Sequence, residues 1–354
     1  MKIGLITFHD TTNFGSLLQT YGLYKKINDL GYECEVVDYQ CENIVRREIP
    51  KPFRFSFNPK ALLKEFLFYR VQRKKYKQLS RFLHSEMCLS KRCDRKTIAA
   101  IKNNYDCFVI GSDITWGMDI IDKDLTYFLN FETNRTKKTA YSASIGNPWT
   151  DEDKLLIEPL LREFRYIAVR EEESADWVEE LTHKRPQVVC DPTMLIKSEK
   201  WQKYCHRTKD MGEYVLVYFD TRNRDCLKKA KEYAQKNGLR VKLIGYGLPV
   251  RGVELVSPLS LEDFLSLIFN AAFVVTASYH GMLFSIYFNR QFVYYNRAHK
   301  SRMNTLARKL KVTERDGLEH DALQMKPVDY DVVNAAVEEY RNHSINCLKE
   351  LLAR

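Results

Sequence analysis

No apolar run in this sequence approaches the roughly 20 residues that a membrane-spanning helix needs. The mean hydropathy is −0.42, and residues 1–10 hold only a six-residue, mainly apolar run behind a lone Lys2. That run is too short for the hydrophobic core of a signal peptide, so we expect it to form a first β-strand. The localisation expected from these features is cytoplasmic, and peripheral contact with a membrane is left open.

Paired cysteines and metal-binding motifs are also lacking. The nine cysteines are odd in number, scattered and without a CxxC pair, which indicates reduced thiols and no zinc or disulfide framework. There is no HxxxE motif, no pair of histidines and no convincing acyl-transfer triad. The DxD spacings at Asp122/Asp124 and Asp151/Asp153 lie away from the predicted strand ends. We therefore predict no metal site.

What the sequence does have is length and a localised positive charge. Its 354 residues, 45% of them hydrophobic, suffice for two domains with real cores. Between Arg46 and Lys102 lie 17 Lys/Arg and 4 Asp/Glu, a net +13, whereas the remaining 39 basic and 42 acidic residues give −3. A nucleic-acid-binding protein would more often line a fold-wide groove with charge. The localised block favours contact with phosphate groups or a membrane surface, and a solvated helix face is the alternative.

The first half of the chain alternates short apolar runs with helical patterns. The predicted strands are 2–8, 34–39, 107–110, 139–145, 166–170 and 187–191. This alternation predicts a doubly wound parallel sheet, with residues 1–195 as an N-terminal Rossmann-like domain and a basic helical insertion at about 42–102. The turn after the first strand is not GxGxxG, so it supports a dinucleotide site only weakly. It can still bind an anion through backbone N–H groups, or be a plain strand–helix turn.

The second half repeats the pattern. Strands are predicted at 214–219, 240–245, 271–276 and 291–295, and helices at 224–237, 260–269, 283–288 and 302–310. Residues 196–330 are therefore predicted to form a second Rossmann-like domain. The sequence leaves open whether the final helix, 331–354, crosses back to the first domain. The predicted fold is α/β, with two Rossmann-like domains facing each other across a cleft as in GT-B enzymes.

Candidate site residues follow predicted strand ends, where open α/β sheets hold their ligands. His280 is the candidate proton donor, since a histidine can carry a proton near neutral pH. The candidate substrate-binding residues are Asn13, Gly15, Ser16, Ser112, Asp113, Ser144, Arg170, Ser278, Lys300 and Arg302. Fixed positive charge beside a proton donor suits an anionic, phosphate-bearing substrate. The structural alternatives are an ion pair for Arg170, a helix cap for Ser112 and Asp113, and a core histidine for His280.

Seven segments together resemble the polysaccharide pyruvyl transferase family, through their order and spacing along nearly the whole chain. They are residues 12–21, 110–116, 141–146, 169–171, 191–193, 276–281 and 301–302. The resemblance implies a GT-B-like fold and transfer of a pyruvyl group from phosphoenolpyruvate to two sugar hydroxyls, forming a cyclic ketal, with no cofactor. Some members carry Arg two residues before the site histidine. Here that position is Ser278, which gives Arg302 more weight in holding the carboxylate.

The chemistry that the resemblance implies fits the candidate residues. Arg170, Arg302 and Lys300 would hold the donor anion, and His280 would protonate the enol carbon. The acceptor would be a sugar of a polysaccharide or of its lipid-linked precursor, and the basic segment 46–102 would suit a lipid diphosphate at the inner membrane face. A GT-B glycosyltransferase using a nucleotide sugar and a non-catalytic binding protein of the same fold are the alternatives. No nucleic-acid partner is expected.

Overall fold

The computed structural model describes residues 1–51, 59–296 and 300–353, without the side chains of residues 59–67, 300 and 301. The first half of the chain builds a six-stranded sheet in the order β2-β1-β3-β4-β5-β6, with every neighbouring pair parallel. Its strands are β1 (Lys2–Ile6), β2 (Glu33–Val36), β3 (Cys107–Ile110), β4 (Lys138–Ala143), β5 (Tyr166–Val169) and β6 (Gln187–Val188). All residues of β3 and β4 are buried, which is why these strands read as short continuous runs and not as alternating ones.

Helices connect the strands of this sheet. They are α1 (Phe14–Asp29), α2 (Glu42–Glu48), α3 (Pro59–Glu86), α4 (Met118–Ile121), α5 (Asp151–Leu161) and α6 (Glu172–Thr182). Short 3₁₀ helices lie at Ile98–Asn104, Leu125–Phe128, Arg135–Lys137 and Pro192–Leu195. The start of α5 is fixed by a capping box, in which the Thr150 hydroxyl and the Asp153 carboxylate each accept a backbone N–H of the other residue.

The second half builds a five-stranded parallel sheet in the order β11-β10-β7-β8-β9. The strands are β7 (Tyr214–Tyr218), β8 (Arg240–Ile244), β9 (Glu254–Val256), β10 (Phe273–Thr276) and β11 (Gln291–Tyr294). The helices are α7 (Ser198–Gln202), α8 (Asp225–Asn237), α9 (Leu261–Asn270), α10 (Tyr279–Tyr287), α11 (Lys300–Lys309) and α12 (Tyr330–Ala353), with a 3₁₀ turn at Thr313–Arg315. The predicted α/β class with two Rossmann-like domains is confirmed.

The chain folds into two compact units. The first comprises Met1–Ile49, Ser80–Ile196 and Glu338–Arg354, and the second comprises Pro50–Leu79 and Lys197–Val337. This division differs from the predicted one, in which the whole basic segment 42–102 belongs to the first domain. The part of α3 up to Leu79 belongs to the second unit, because its buried side packs there.

The last helix, α12, passes from the second unit into the first at Val337. In the first unit the hydroxyl of the buried Tyr141 donates to the Ser344 carbonyl at 2.8 Å. The Ser344 hydroxyl in turn accepts the Cys190 N–H at 2.9 Å. These bonds attach the helix to β4 and to the segment that follows β6.

Both sheets reverse their strand order once. In the first sheet the reversal lies between β1 and β3, and in the second it lies between β7 and β10. At such a point the connecting helices leave on opposite faces and open a crevice beyond the carboxyl ends of the two strands. The turns after β1, β3, β7 and β10 are therefore the places where each unit can hold a ligand.

The turn after β1 is held by close packing of α1. A Cβ atom added to Gly22 would lie 2.5 Å from the Pro192 carbonyl oxygen and 2.8 Å from its carbon. Backbone atoms cannot move aside as a flexible side chain does. We therefore expect Gly22→Ala to lower the free energy of unfolding by about 1–3 kcal/mol, measured by urea denaturation. Gly247, around which no atom lies within 4 Å, provides the control. A Gly22→Ala protein as stable as Gly247→Ala would show that α1 does not pack this closely.

Candidate active site

In the first unit, the turns after β1 and β3 are joined by side chains. The Ser16 hydroxyl donates a short hydrogen bond to the Asp113 carboxylate. The Thr7 hydroxyl donates to the Ser112 carbonyl at 2.8 Å. Both bonds cross the point where the strand order reverses. Five of the predicted site residues thus lie at one edge of the first sheet. We call them the first-sheet cluster: Asn13, Gly15, Ser16, Ser112 and Asp113.

Asn13 and Asp113, the two members of this cluster that are not buried, differ in local structure. Asn13 is exposed and caps α1, its side-chain oxygen accepting the Gly15 N–H at 2.9 Å. Asp113 has a φ of 76°, a left-handed conformation that is uncommon outside glycine. Its carboxylate accepts its neighbour's N–H, from Ile114, at 2.9 Å. Backbone strain at a strand end is a feature that concentrates at functional sites, so Asp113 is the candidate ligand-facing group here.

Arg170 lies in the interior and not at the surface of the first unit. It is 2% exposed and donates to Asp191 at 2.8 Å and to the Ser112 hydroxyl at 3.2 Å. Its Nε lies 3.6 Å from the Glu171 carboxylate, which also accepts the Ser144 hydroxyl at 2.6 Å. Two carboxylates thus balance the guanidinium charge. In this arrangement Arg170 and Ser144 stabilise the turn after β3 from the interior of the unit. Their contact with substrate stays a prediction.

In the second unit, Thr276 fixes the turn after β10. Its hydroxyl donates to the Tyr218 carbonyl of β7 at 2.6 Å and accepts the Ser278 N–H at 3.1 Å. The Ser278 hydroxyl then caps α10 by accepting the Gly281 N–H at 3.4 Å. Gly281 packs so closely on the Thr276 hydroxyl that a Cβ atom there would overlap it. We call Thr276, Ser278, His280 and Gly281 the second-sheet cluster.

His280 occupies the first turn of α10 and is half-buried. Its ring lies edge-on to that of Tyr279, with 5.3 Å between the ring centroids. The first turn of the helix contains no acidic residue, so its positive dipole end is not neutralised from within the turn. The helix was predicted to begin at residue 283, which is wrong, because the cap formed by Ser278 starts it at Tyr279.

The other predicted cations follow β11. Arg302 is half-buried on α11, and Lys300 is the first residue of that helix, but its side chain lies outside the described residues. Asn296 follows β11, and its side-chain nitrogen donates to Asn304 of α11 at 2.9 Å and to Asp316 at 3.0 Å.

Two features were not in the predicted set. Phe219 follows β7 with a φ of 56° and is 43% exposed, at the point where the second sheet reverses. His9 follows β1 and is buried, with Nδ1 3.1 Å from the Thr7 carbonyl and Nε2 3.2 Å from the Asp38 carboxylate. Both partners are hydrogen-bond acceptors. Strand-end position marked both residues, but single aromatic and histidine residues carry little weight in a sequence.

The described residues form no metal-binding cluster, and several of their thiols are held protonated. No group of three or more His, Cys, Asp or Glu side chains in residues 1–51, 59–296 and 300–353 is placed to hold a metal ion. Burial raises the pKa of Cys41 and Cys93 to about 11 and that of Cys190 and Cys205 to about 12, so these thiols stay protonated. None of the helices in the same ranges is both long and apolar enough to cross a bilayer.

The buried Asp38 carboxylate predicts a pH dependence. Burial alone would raise its pKa, but the bond and charge of His9, and then those of Arg92, lower the pKa to about 2. A lowered folded-state pKa stabilises the protein above the pKa of an unfolded aspartate, and this stability is lost as the pH falls toward 2. We expect Asp38→Asn to cost about 2 kcal/mol at neutral pH, with the difference from wild type shrinking between about pH 5 and about pH 2.

Urea unfolding at several pH values measures this effect. Asp119→Asn, at an exposed aspartate that accepts a single hydrogen bond from Asn147, is the control. A cost of Asp38→Asn that does not depend on pH would contradict the ionic role of Asp38.

Several solved structures match the chain along nearly its whole length. S. aureus MnaA in its UDP complex matches with 13% identity over 99% of this chain and 97% of its own, at a TM-score of 0.53. The UDP-GlcNAc 2-epimerase from Neisseria meningitidis bound to UDP-GlcNAc matches with 11% identity over 99% and 100%, at 0.47. The E. coli heptosyltransferase WaaC with ADP matches with 15% identity over 96% and 100%, at 0.41. The first match shows that the fold is GT-B-like, as predicted.

Comparison by sequence gives a family. No curated protein matches the chain significantly. The family model described as polysaccharide pyruvyl transferase matches residues 13–299, which is well over half of the chain. The matched part begins at the cap of α1 and includes both the first-sheet and the second-sheet clusters. The chain therefore belongs to the polysaccharide pyruvyl transferase family.

Proposed function

We propose that the protein transfers the pyruvyl group of phosphoenolpyruvate to two hydroxyls of a sugar, in a polysaccharide or its lipid-linked precursor. The observation that carries the proposal is the position of His280 in a chain of this family. The residue lies half-buried on the first turn of α10, beyond the strand pair where the second sheet reverses. A proton donor at that crevice is what an enol substrate requires.

The donor carries a phosphate and a carboxylate, so it needs positive partners. The amino end of α10, which has no acidic residue in its first turn, suits one of the two anionic groups. Arg302 on α11 is the candidate for the other, because a guanidinium can bind a carboxylate with two parallel hydrogen bonds. Ser278 is uncharged, and its hydroxyl caps α10. Lys300 stays a candidate from its position in the sequence alone.

The chemistry is an addition followed by a displacement. His280 protonates the methylene carbon of the enol, which becomes a methyl group, and a sugar hydroxyl oxygen bonds to the neighbouring carbon. A second hydroxyl of the same sugar then bonds to that carbon as the bond to phosphate breaks. The two protons lost by the hydroxyls balance the proton gained by the methyl group and the proton taken up with the released phosphate. The helix end stabilises the charge on the departing phosphate while Arg302 holds the carboxylate.

The first-sheet cluster is proposed to bind substrate through its outer members. Asn13 is exposed and Asp113 is half-buried, so both side chains can reach a sugar hydroxyl. Because the Gly15 N–H donates to Asn13, the backbone of Ser16 is the candidate partner of an anion, and Gly15 stays a candidate from its position in the sequence. Ser112, Ser144 and Arg170 are fully buried and act by holding the turn after β3 in place. No cofactor takes part in the proposed reaction.

A His280→Ala variant tests the role of the histidine. General acid catalysis typically contributes a factor of about 10²–10⁴, so we expect kcat to fall at least about a hundredfold while phosphoenolpyruvate still binds. Phosphate release with a panel of p-nitrophenyl and lipid-linked sugars measures turnover, and calorimetry measures binding. His320→Ala, at an exposed histidine of the second unit, is the control. Full turnover by His280→Ala would remove this mechanism and leave the family assignment intact.

The alternative reaction is glycosyl transfer from a nucleotide sugar. It is favoured by the fold that the chain shares with S. aureus MnaA bound to UDP. Consumption of a nucleotide sugar without any requirement for phosphoenolpyruvate would establish it. Binding of either donor without turnover, with every acceptor tried, would instead favour a non-catalytic binding protein.

The exposed side of α3 is proposed to contact an anionic membrane surface that carries the acceptor. Five exposed cations recur at helical spacing: Arg70, Arg73, Lys74, Lys77 and Arg81. At 100° per residue they form one narrow stripe along the helix. Each Lys or Arg near an anionic bilayer contributes about 1 kcal/mol, so the stripe is sufficient for peripheral binding.

Replacing Arg73, Lys74 and Lys77 with Gln should therefore weaken binding to phosphatidylglycerol vesicles about a hundredfold. Added salt should weaken the binding of the wild-type protein to the same vesicles. Co-sedimentation with vesicles measures this, and pure phosphatidylcholine vesicles should bind neither protein. A triple Gln variant of Lys197, Lys200 and Lys203, which are exposed on the second unit, is the matched control. Equal loss of binding in the two triple variants would contradict a specific role for α3.

A further inference from the structure

Lys75 lies on the buried side of α3. It is 7% exposed, whereas its neighbour Lys74 is exposed. It shares the buried side with Leu79, four residues later, and with Phe82, seven residues later. Lysine is among the residues least often buried, so its position among core residues separates it from the outward cationic stripe.

The ammonium group of Lys75 lies over the aromatic ring of Tyr246. Its Nζ lies 4.6 Å from the centroid of the Tyr246 ring, within the range of a cation–π contact. The Tyr246 hydroxyl donates to the Pro258 carbonyl at 2.6 Å, which fixes the far end of the ring. Burial, and then the nearby Tyr218 and Asp263, raise the pKa of Tyr246, so the ring stays a neutral support.

Tyr246 lies at the carboxyl edge of the second sheet. It follows the end of β8 by two residues, and β8 pairs with β7 through Ile244 and Tyr218. Tyr218 also pairs with Thr276 of β10, and its ring lies 3.0 Å from the position of a Cβ on Gly281. Lys75 is therefore placed at the same edge of the sheet as the first turn of α10, which carries His280.

We propose that Lys75 is a substrate-binding residue that holds a phosphate group in the site of the second unit. The inserted helix α3 thereby supplies a cation to the carboxyl edge of a sheet that it does not itself connect. A cation withdrawn from bulk water attracts an anion more strongly than an exposed one, because the effective dielectric constant is lower. The inference rests on the proposed function for the identity of the ligand, which is either phosphoenolpyruvate or the diphosphate of a lipid-linked acceptor.

Kinetics of a Lys75→Met variant distinguish these two sources. Loss of a charged hydrogen bond to phosphate should raise the KM of the substrate concerned roughly tenfold to a hundredfold, with a smaller change in kcat. A raised KM for phosphoenolpyruvate with both a lipid-linked and a p-nitrophenyl acceptor identifies the donor. A raised KM for the lipid-linked acceptor alone identifies its diphosphate. Lys75→Arg should restore part of the loss, and Lys203→Met, at an exposed lysine of the second unit outside α3, should match the wild type.

A structural role would give a different result. If Lys75 only packs on Tyr246, Lys75→Met should alter the melting temperature and leave both KM values within about twofold of wild type, and this outcome would overturn the proposal.

Direct binding separates the proposal from the proposed function. Calorimetry with inorganic diphosphate and with phosphoenolpyruvate needs no turnover and compares the wild type with Lys75→Met. Binding of either anion that depends on Lys75, in a protein without pyruvyl transfer, would support the site and reject the reaction. Pyruvyl transfer with anion binding that Lys75→Met leaves unchanged would reject the site and keep the reaction.

Discussion

In each unit the candidate site depends on one hydroxyl at the point where the sheet reverses. Thr7, directly after β1, donates to the Ser112 carbonyl beyond β3 at 2.8 Å. Thr276, the last residue of β10, donates to the Tyr218 carbonyl at the end of β7 at 2.6 Å. Both threonines are almost completely buried. At this point two neighbouring parallel strands diverge into turns. The Tyr218 carbonyl also accepts the Ala277 N–H at 3.3 Å, so the Thr276 bond adds to a backbone link there. In both sheets the side-chain bond holds together the turns that carry Asp113 and His280.

Much of this framework could be predicted, because buried parallel strands leave a clear trace in a sequence. Short apolar runs such as residues 107–110 and 273–276 coincide with β3 and β10, and the small polar residues after them mark the ligand edge. What escaped prediction had a weaker local signal. β9 has three residues, all at least partly exposed, so it shows no apolar run. The start of α10 was missed because the Ser278 cap lacks the acidic residue that completes a capping box, as Asp263 does in α9.

The charged residues show more clearly what a sequence withholds. Arg170 follows a strand and was predicted to bind substrate, but its guanidinium lies between the carboxylates of Asp191 and Glu171. Asp191 is distant in the sequence, so this ion pair could not be predicted from the residues next to Arg170. In α3 the positive charges were read as one block. Their helical phase separates them, since the stripe from Arg70 to Arg81 faces outward and Lys75 faces the core with Leu79. The helical spacing of these residues can be read from the sequence, but a net charge summed over the segment does not show it. Only the structure shows that Lys75 contacts the Tyr246 ring.

A fold that also serves nucleotide-sugar enzymes does not by itself select a reaction, so the distinction has to come from the charges at the sheet edge. The cap formed by Ser278 brings His280 into the first turn of α10 but places no cation beside it. An arginine at that position would bring charge and lose the cap, at a cost of about 1 kcal/mol. In the proposed site these two needs are divided among elements. Ser278 orders the helix start, α11 carries the candidate Arg302, and the inserted helix places Lys75 over Tyr246, so that the position of each proposed cation can be adjusted without disturbing the turn that positions the histidine.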